Sequence, residues 1–186
     1  MTLIHALGLP ILLSSVFVFL ASAVLHMALP WHHQDYKKVP REEELMDALR
    51  PLAIPPGDYM VPGCAQPKEM RTPEYQARIA RGPVMIATVL PNGMWTVGRS
   101  LALWYLYVLV ISFFAGYLSF HALPAGAVAR HVVRFAGLAA FLGYAPALWQ
   151  MSIWYRRSWV TTLKVTIDGA VFAAVTAATF AWLWPK

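Results

Sequence analysis

Residues 159–184 read WVTTLKVTIDGAVFAAVTAATFAWLW. The stretch is long enough to cross roughly 30 Å of hydrocarbon as a helix, yet Lys164 and Asp168 stand inside it. A backbone in hydrocarbon must satisfy its own N–H and C=O groups, so a segment of this length and character is helical. Charges on such a helix are expensive to expose to lipid and turn inward, toward other helices. One stretch therefore predicts both a spanning helix and a bundle around it.

The rest of the chain agrees. Of its 186 residues, 59% are hydrophobic and 13% are charged, against about 25% charged in a soluble domain. The mean hydropathy is +0.52. Segments about 7–29, 100–122, 128–153 and 160–184 are all long and apolar enough to span. The expected fold is an all-α integral membrane protein, a four-transmembrane-helix bundle forming a single membrane domain over 1–186. Leu123-Pro124-Ala125-Gly126 and the stretch YRRSW (155–159) are short links, which makes spans 2, 3 and 4 antiparallel neighbours. Residues 11–20 would serve as the core of a signal peptide. Residues 1–10 carry no Lys or Arg, however, so the segment reads as a retained first span.

The link between helices 1 and 2, residues 31–99, is polar and holds most of the chain's 14 prolines. It reads as partly structured. PREEELMDALRP predicts a short helix at about 41–50, with acids in its first turn and Pro51 as a stop. TPEYQARIARG predicts another at about 73–81, capped by Thr72 and ended by Gly82. The β-prone runs around Asn92-Gly93 suggest a hairpin or a stretch along the membrane surface. The segment 51–67 between the helices is too rich in proline for regular structure.

Basic residues set the orientation. The long link carries nine of the chain's 15 Lys and Arg residues, from Lys37 to Arg99, and Arg156 and Arg157 flank the last link. The positive-inside rule then places this link in the cytoplasm and both termini in the periplasm. The net charge of +6 is explained by an anionic leaflet, and no nucleic-acid partner is expected. Cys64 is the only cysteine, so no internal disulfide forms.

Within the spans the polar residues fall in layers. His26, Gln150, Lys164 and Asp168 lie at the cytoplasmic level, Asp168 about 12 Å inside its span, and are expected to face inward as one polar layer. Lys164 and Asp168, four apart, read first as a self-neutralising pair. His26 across the bundle is the alternative partner of Asp168. Just beyond span 1, HMALPWHHQDY gathers His26, His32, His33 and Asp35. Imidazole with carboxylate suits a transition metal, although the spacing matches no closed zinc pattern. On the outer side His5, His121 and His131 fall at similar depth on three spans and offer an open metal site. Gly169, Ala173, Ala177 and Ala181 on span 4, with Ala136, Ala140 and Gly143 on span 3, form small-residue faces suited to close packing. No phosphate-binding loop, dinucleotide fingerprint or hydrolase motif is present, no catalytic residue is marked, and no span reads as the broken helix of an inverted repeat.

The stretches VLHMALPWHHQDYKKVPREEE, PNGMWTVGRSLALWYLY, SIWYRRSWVTTLKVTIDG and FAWLWP resemble an uncharacterised family of small bacterial inner-membrane proteins. The resemblance covers most of the chain and implies a bacterial inner-membrane location. It brings no cofactor and no site residues. The leading expectation is an accessory or assembly subunit, packing through its small-residue faces against itself as a homo-oligomer or against a larger membrane complex. The alternatives are a small oligomeric proton or ion channel or transporter using His26, Lys164 and Asp168, and a membrane metal- or haem-binding protein using His26, His32 and His33.

Overall fold

The computed structural model describes residues 2–94 and 96–186. The chain divides into two compact units, one of Met1–Tyr36 with Thr96–Lys186 and one of Lys37–Trp95. Trp95, within the stretch read as β-prone, lies outside the described residues.

The first unit holds four helices long and apolar enough to cross a membrane: Leu3–Ala28, Val97–Ala122, Ala129–Ile153 and Trp159–Trp182. The first is an α-helix over Leu3–Ala23 (α1) that widens into a π-turn at Val24–Ala28. The others contain α4 (Val97–Ala122), α5 (Ala129–Tyr144) with the short α6 (Trp149–Ile153), and α7 (Trp159–Trp182). Neighbours pack in the order α1, α4, α5, α7 and back to α1, with α5 against α7 the most extensive contact.

The third span is broken, which the sequence reading did not anticipate. Pro146 brings no N–H to the helical ladder and restricts the residue before it. Ala145 leaves the helical region at φ −120° and ψ −60°, and a 3₁₀ turn at Pro146–Leu148 precedes α6.

The bundle buries polar groups among apolar ones and exposes large apolar side chains. Ser14, Ser15, Ser112, Ser119, Thr162, Thr176 and Asp168 are buried, while Leu9, Leu12, Leu20, Leu103, Phe114, Leu138 and Leu163 are exposed. The buried hydroxyls cost little because most bond to carbonyls of their own helix: Ser14 to Ile11, Ser119 to Ala115, Thr176 to Phe172. Two apolar clusters lie between these groups. One gathers Val18, Val108, Ile111, Ala140, Tyr144 and Phe172, and the other Leu7, Ile11, Val132, Ala136 and Phe180.

One set of small residues on spans 3 and 4 packs within the chain. A Cβ added at Gly169 would meet Ala145 Cβ at 2.8 Å, and one at Gly137 would meet Ala177 Cβ at 3.1 Å. Ala136, Ala140, Ala173 and Ala177 are buried. These faces let α5 and α7 approach closely, while Ala170, Ala174 and Ala178 form a second small-residue stripe that stays exposed on α7.

The second unit contains α2 (Glu42–Leu49), β1 (Gly57–Val61), α3 (Pro73–Arg81) and β2 (Met85–Val89). Thr72 caps α3 by accepting from the Tyr75 amide, and the buried Tyr75 hydroxyl donates to the Pro62 carbonyl at 3.1 Å. The strands pair antiparallel, Tyr59 opposite Ala87. This corrects two expectations. β2 pairs with β1 rather than across Asn92-Gly93, because the chain after that turn enters α4 at Val97 and supplies no second strand. The segment between α2 and α3 does hold regular structure, because Pro55, Pro56 and Pro62 bracket β1 without entering it.

Candidate functional site

The site is built where α1 ends. Ser22 donates to the Phe19 carbonyl and receives the indole N–H of Trp104 at 2.8 Å, which ties α1 to α4. One turn later His26 bonds through Nδ1 to the Ser22 carbonyl at 2.9 Å. Leu29 is extended, and Pro30–His32 forms a 3₁₀ turn with proline at its start. The His33 amide donates to the Pro30 carbonyl and the Asp35 amide to the His32 carbonyl. This tight winding lays the His32 ring on that of His26, centroids 4.4 Å apart and planes 6° from parallel.

His32 is held at both nitrogens. Nδ1 lies 2.6 Å from Asp35 Oδ2, and Nε2 lies 2.8 Å from Asp168 Oδ2 on α7. Lys164 donates to Asp35 Oδ1 at 2.8 Å and to the Trp31 carbonyl at 2.7 Å, with its ammonium 5.8 Å from the centre of the Trp31 ring. Lys164 and Asp168 are thus each paired with the turn after α1, and not with each other. The four charged groups form one line, Lys164–Asp35–His32–Asp168. If His32 carries both ring hydrogens, two positive and two negative groups balance, which is how buried charges are tolerated. Asp168 is 3% exposed.

Asp35 feels opposing influences. Burial pushes its carboxyl up, but the hydrogen bonds from Lys164 and His32, with their charges, outweigh this and hold it below its ordinary value of 3.8.

Beside Asp168 is a cavity of about 450 Å³, lined by His26, Trp104, Tyr107, Tyr144, Asp168 and Phe172 among others. The four aromatic rings form a closed circuit of contacts. Trp104 meets Tyr107 at 5.4 Å and Phe172 at 6.0 Å, and Tyr144 meets Tyr107 at 6.1 Å and Phe172 at 5.5 Å. The break after α5 shapes one wall, placing Leu148 on the lining and Ala145 against Gly169. Asp168 Oδ2 is taken by His32, while Oδ1 has no hydrogen-bond partner among the described residues.

The sequence-derived residues divide accordingly. Of the expected polar layer, Lys164 and Asp168 join the network and His26 stacks on it. Gln150 is exposed and stands apart, because the break at Pro146 resets the helical phase before it. The partner of Asp168 is His32, not His26. Of the expected metal ligands, His33 is exposed. Among the described residues one group of ligand atoms converges, His26, His32 and Asp168, within 4.8 Å of one another. The rings nonetheless do not fit a metal as placed. A ligand lone pair lies in its ring plane, and two parallel stacked planes share no point. His32 Nε2 is also already committed to Asp168. The outer histidines do not converge either. His5 bonds to Thr2 at 2.6 Å, His121 to the Tyr117 carbonyl at 2.9 Å, and His131 is exposed.

Comparison with known proteins adds no name: no family model, curated protein or solved structure matches the chain.

Proposed function

We propose that this chain is an integral membrane protein whose working element is a proton-binding site at Asp35, His32 and Asp168, the core of a small proton or ion transporter. The membrane assignment is supported by four helices of spanning length and by the large apolar side chains they expose. The lysines and arginines of the long link favour a cytoplasmic position for it, with both termini periplasmic. The resemblance noted above favours a bacterial inner membrane.

One observation carries the functional reading. Asp168, buried on a helix of membrane-spanning length, shares a hydrogen with His32, and His32 shares another with Asp35. Two carboxylates on one imidazole make a relay that takes or gives a proton by switching which atom holds the hydrogen. Asp168 also lines the cavity, so the relay ends at a space a substrate can enter. An intramembrane carboxylate with such a partner is a site for function by default. An accessory or assembly subunit packing through the exposed Ala170, Ala174 and Ala178 of α7 is the second reading.

Reconstitution tests this. Proteoliposomes holding the chain should dissipate an imposed pH gradient when a permeant or transported ion completes the charge balance. Asp168→Asn should abolish the flux while leaving the thermal unfolding transition in place. Normal flux in a folded Asp168→Asn protein would sink the reading.

A further inference from the structure

The cavity beside Asp168 has a wall chemistry that names a ligand class. Its four rings are each packed edge or face to two others. Ring faces are electron-rich and attract organic cations, most strongly where water is excluded. Asp168 completes the set at the wall of the same cavity, with Oδ2 bonded to His32 and Oδ1 without a hydrogen-bond partner among the described residues. An anion ligand would be repelled by that oxygen, and an aliphatic neutral one would leave it without a partner. We infer that the cavity binds an amphipathic organic cation, a quaternary or protonated amine on an apolar body, with Asp168 as counter-ion and Trp104, Tyr107, Tyr144 and Phe172 as its cage.

This rests on the proton-binding reading above and deepens it. The titratable and charged groups around Asp168 are His26 from the end of α1, His32 and Asp35 from the turn after it, Lys164 from α7, and Tyr107 and Tyr144 from α4 and α5. Lys164 is committed to Asp35. A cation entering beside Asp168 therefore competes with the hydrogen that His32 and Asp168 share. In a low-dielectric site a bound cation adjoining that bond favours loss of the shared hydrogen. The hydrogen shared by His32 and Asp168 then leaves to water as a proton, and the one shared by His32 and Asp35 stays. The balance is one cation bound and one proton released.

The test is calorimetric titration of the full chain in detergent micelles with benzyltrimethylammonium, run in two buffers of different ionisation enthalpy to count protons. Neopentylbenzene, its neutral isostere, is the control. The expected result is one site, about one proton released, and no competition from the isostere. Trp104→Leu and Asp168→Asn should each weaken binding about tenfold or more, whereas Trp104→Phe, which keeps a ring face, should stay within about threefold. Equal binding of the isostere, or unchanged binding in a folded Trp104→Leu protein, overturns the inference. The two readings fail separately. Cation binding that depends on Trp104 but releases no proton removes the proton exchange and leaves the cage. Proton flux that depends on Asp168, in a protein that binds no cation, removes the cage and leaves the relay.

Discussion

His32 Nε2 lies 2.8 Å from Asp168 Oδ2 across 136 residues of sequence. That bond joins the turn after the first span to the interior of the fourth, and most of what is specific to the site hangs on it. With Asp35 on the other ring nitrogen, the imidazole is gripped between two carboxylates, one near the end of the bundle and one buried within it.

Removing His32 should therefore do more than remove a side chain. His32→Ala leaves Asp168 buried without its partner, a loss of about 3–5 kcal/mol in comparable buried pairs. Asp168→Asn placed in the His32→Ala background should recover much of that loss, because no orphaned charge remains. Unfolding of the two single variants and the double variant forms a cycle. Simple additivity would mean the two residues do not act on each other.

Acid should weaken the fold through Asp35. Its carboxyl is held below 3.8 in the folded chain, so the unfolded chain binds a proton more readily. Stability is then full above pH about 3.8 and declines as pH falls through the lowered folded value. Asp35→Asn should flatten that part of the acid limb. An acid limb identical in the variant and the parent would show that Asp35 does not contribute to it.

The contact between α5 and α7 depends on Gly169. An alanine there would bring its Cβ to 2.8 Å from Ala145 Cβ and 3.4 Å from Ala145 Cα, so the backbone must move. A cost of about 1–3 kcal/mol follows from overpacking. Gly98→Ala, where a Cβ meets nothing within 4 Å, is the matched control and should not destabilise. If both variants melt alike, the packing account of this face is wrong.

Cys64, the one cysteine, reports topology without any engineering. It is partly exposed in the second unit, and the proposed orientation puts that unit in the cytoplasm. A membrane-impermeant maleimide should label it in inside-out vesicles and spare it in intact cells. The opposite pattern would invert the orientation.

The bundle was legible in the sequence because hydrocarbon leaves the backbone few choices. Length and apolarity alone mark the four helices, and Lys164 and Asp168 mark the face that turns inward. The partners of those charges were not legible. Lys164 and Asp168 are spaced to pair on their own helix, and only the turn at Pro30–His32 brings competing groups to both. That turn lies outside the periodic part of the sequence, where spacing predicts little. The signal that was there is Pro30 followed by His32 and Asp35, three apart, which a tight turn sets side by side. The aromatic circuit was equally hidden. Trp104, Tyr107, Tyr144 and Phe172 each read as ordinary residues of a spanning helix, and only packing shows that they meet. The break before Gln150 was announced by Pro146, which the length of the apolar segment obscured.

The central claim is that His32 shares hydrogens with both Asp35 and Asp168. Nitrogen-15 spectra of histidine-labelled protein in bilayers measure this directly, with the His32 signals assigned by their loss in His32→Gln. The account predicts both ring nitrogens hydrogen-bonded in the parent, with the Nε2 signal moved and the Nδ1 signal kept in Asp168→Asn. Nitrogen signals of His32 that are both unchanged by Asp168→Asn would contradict it.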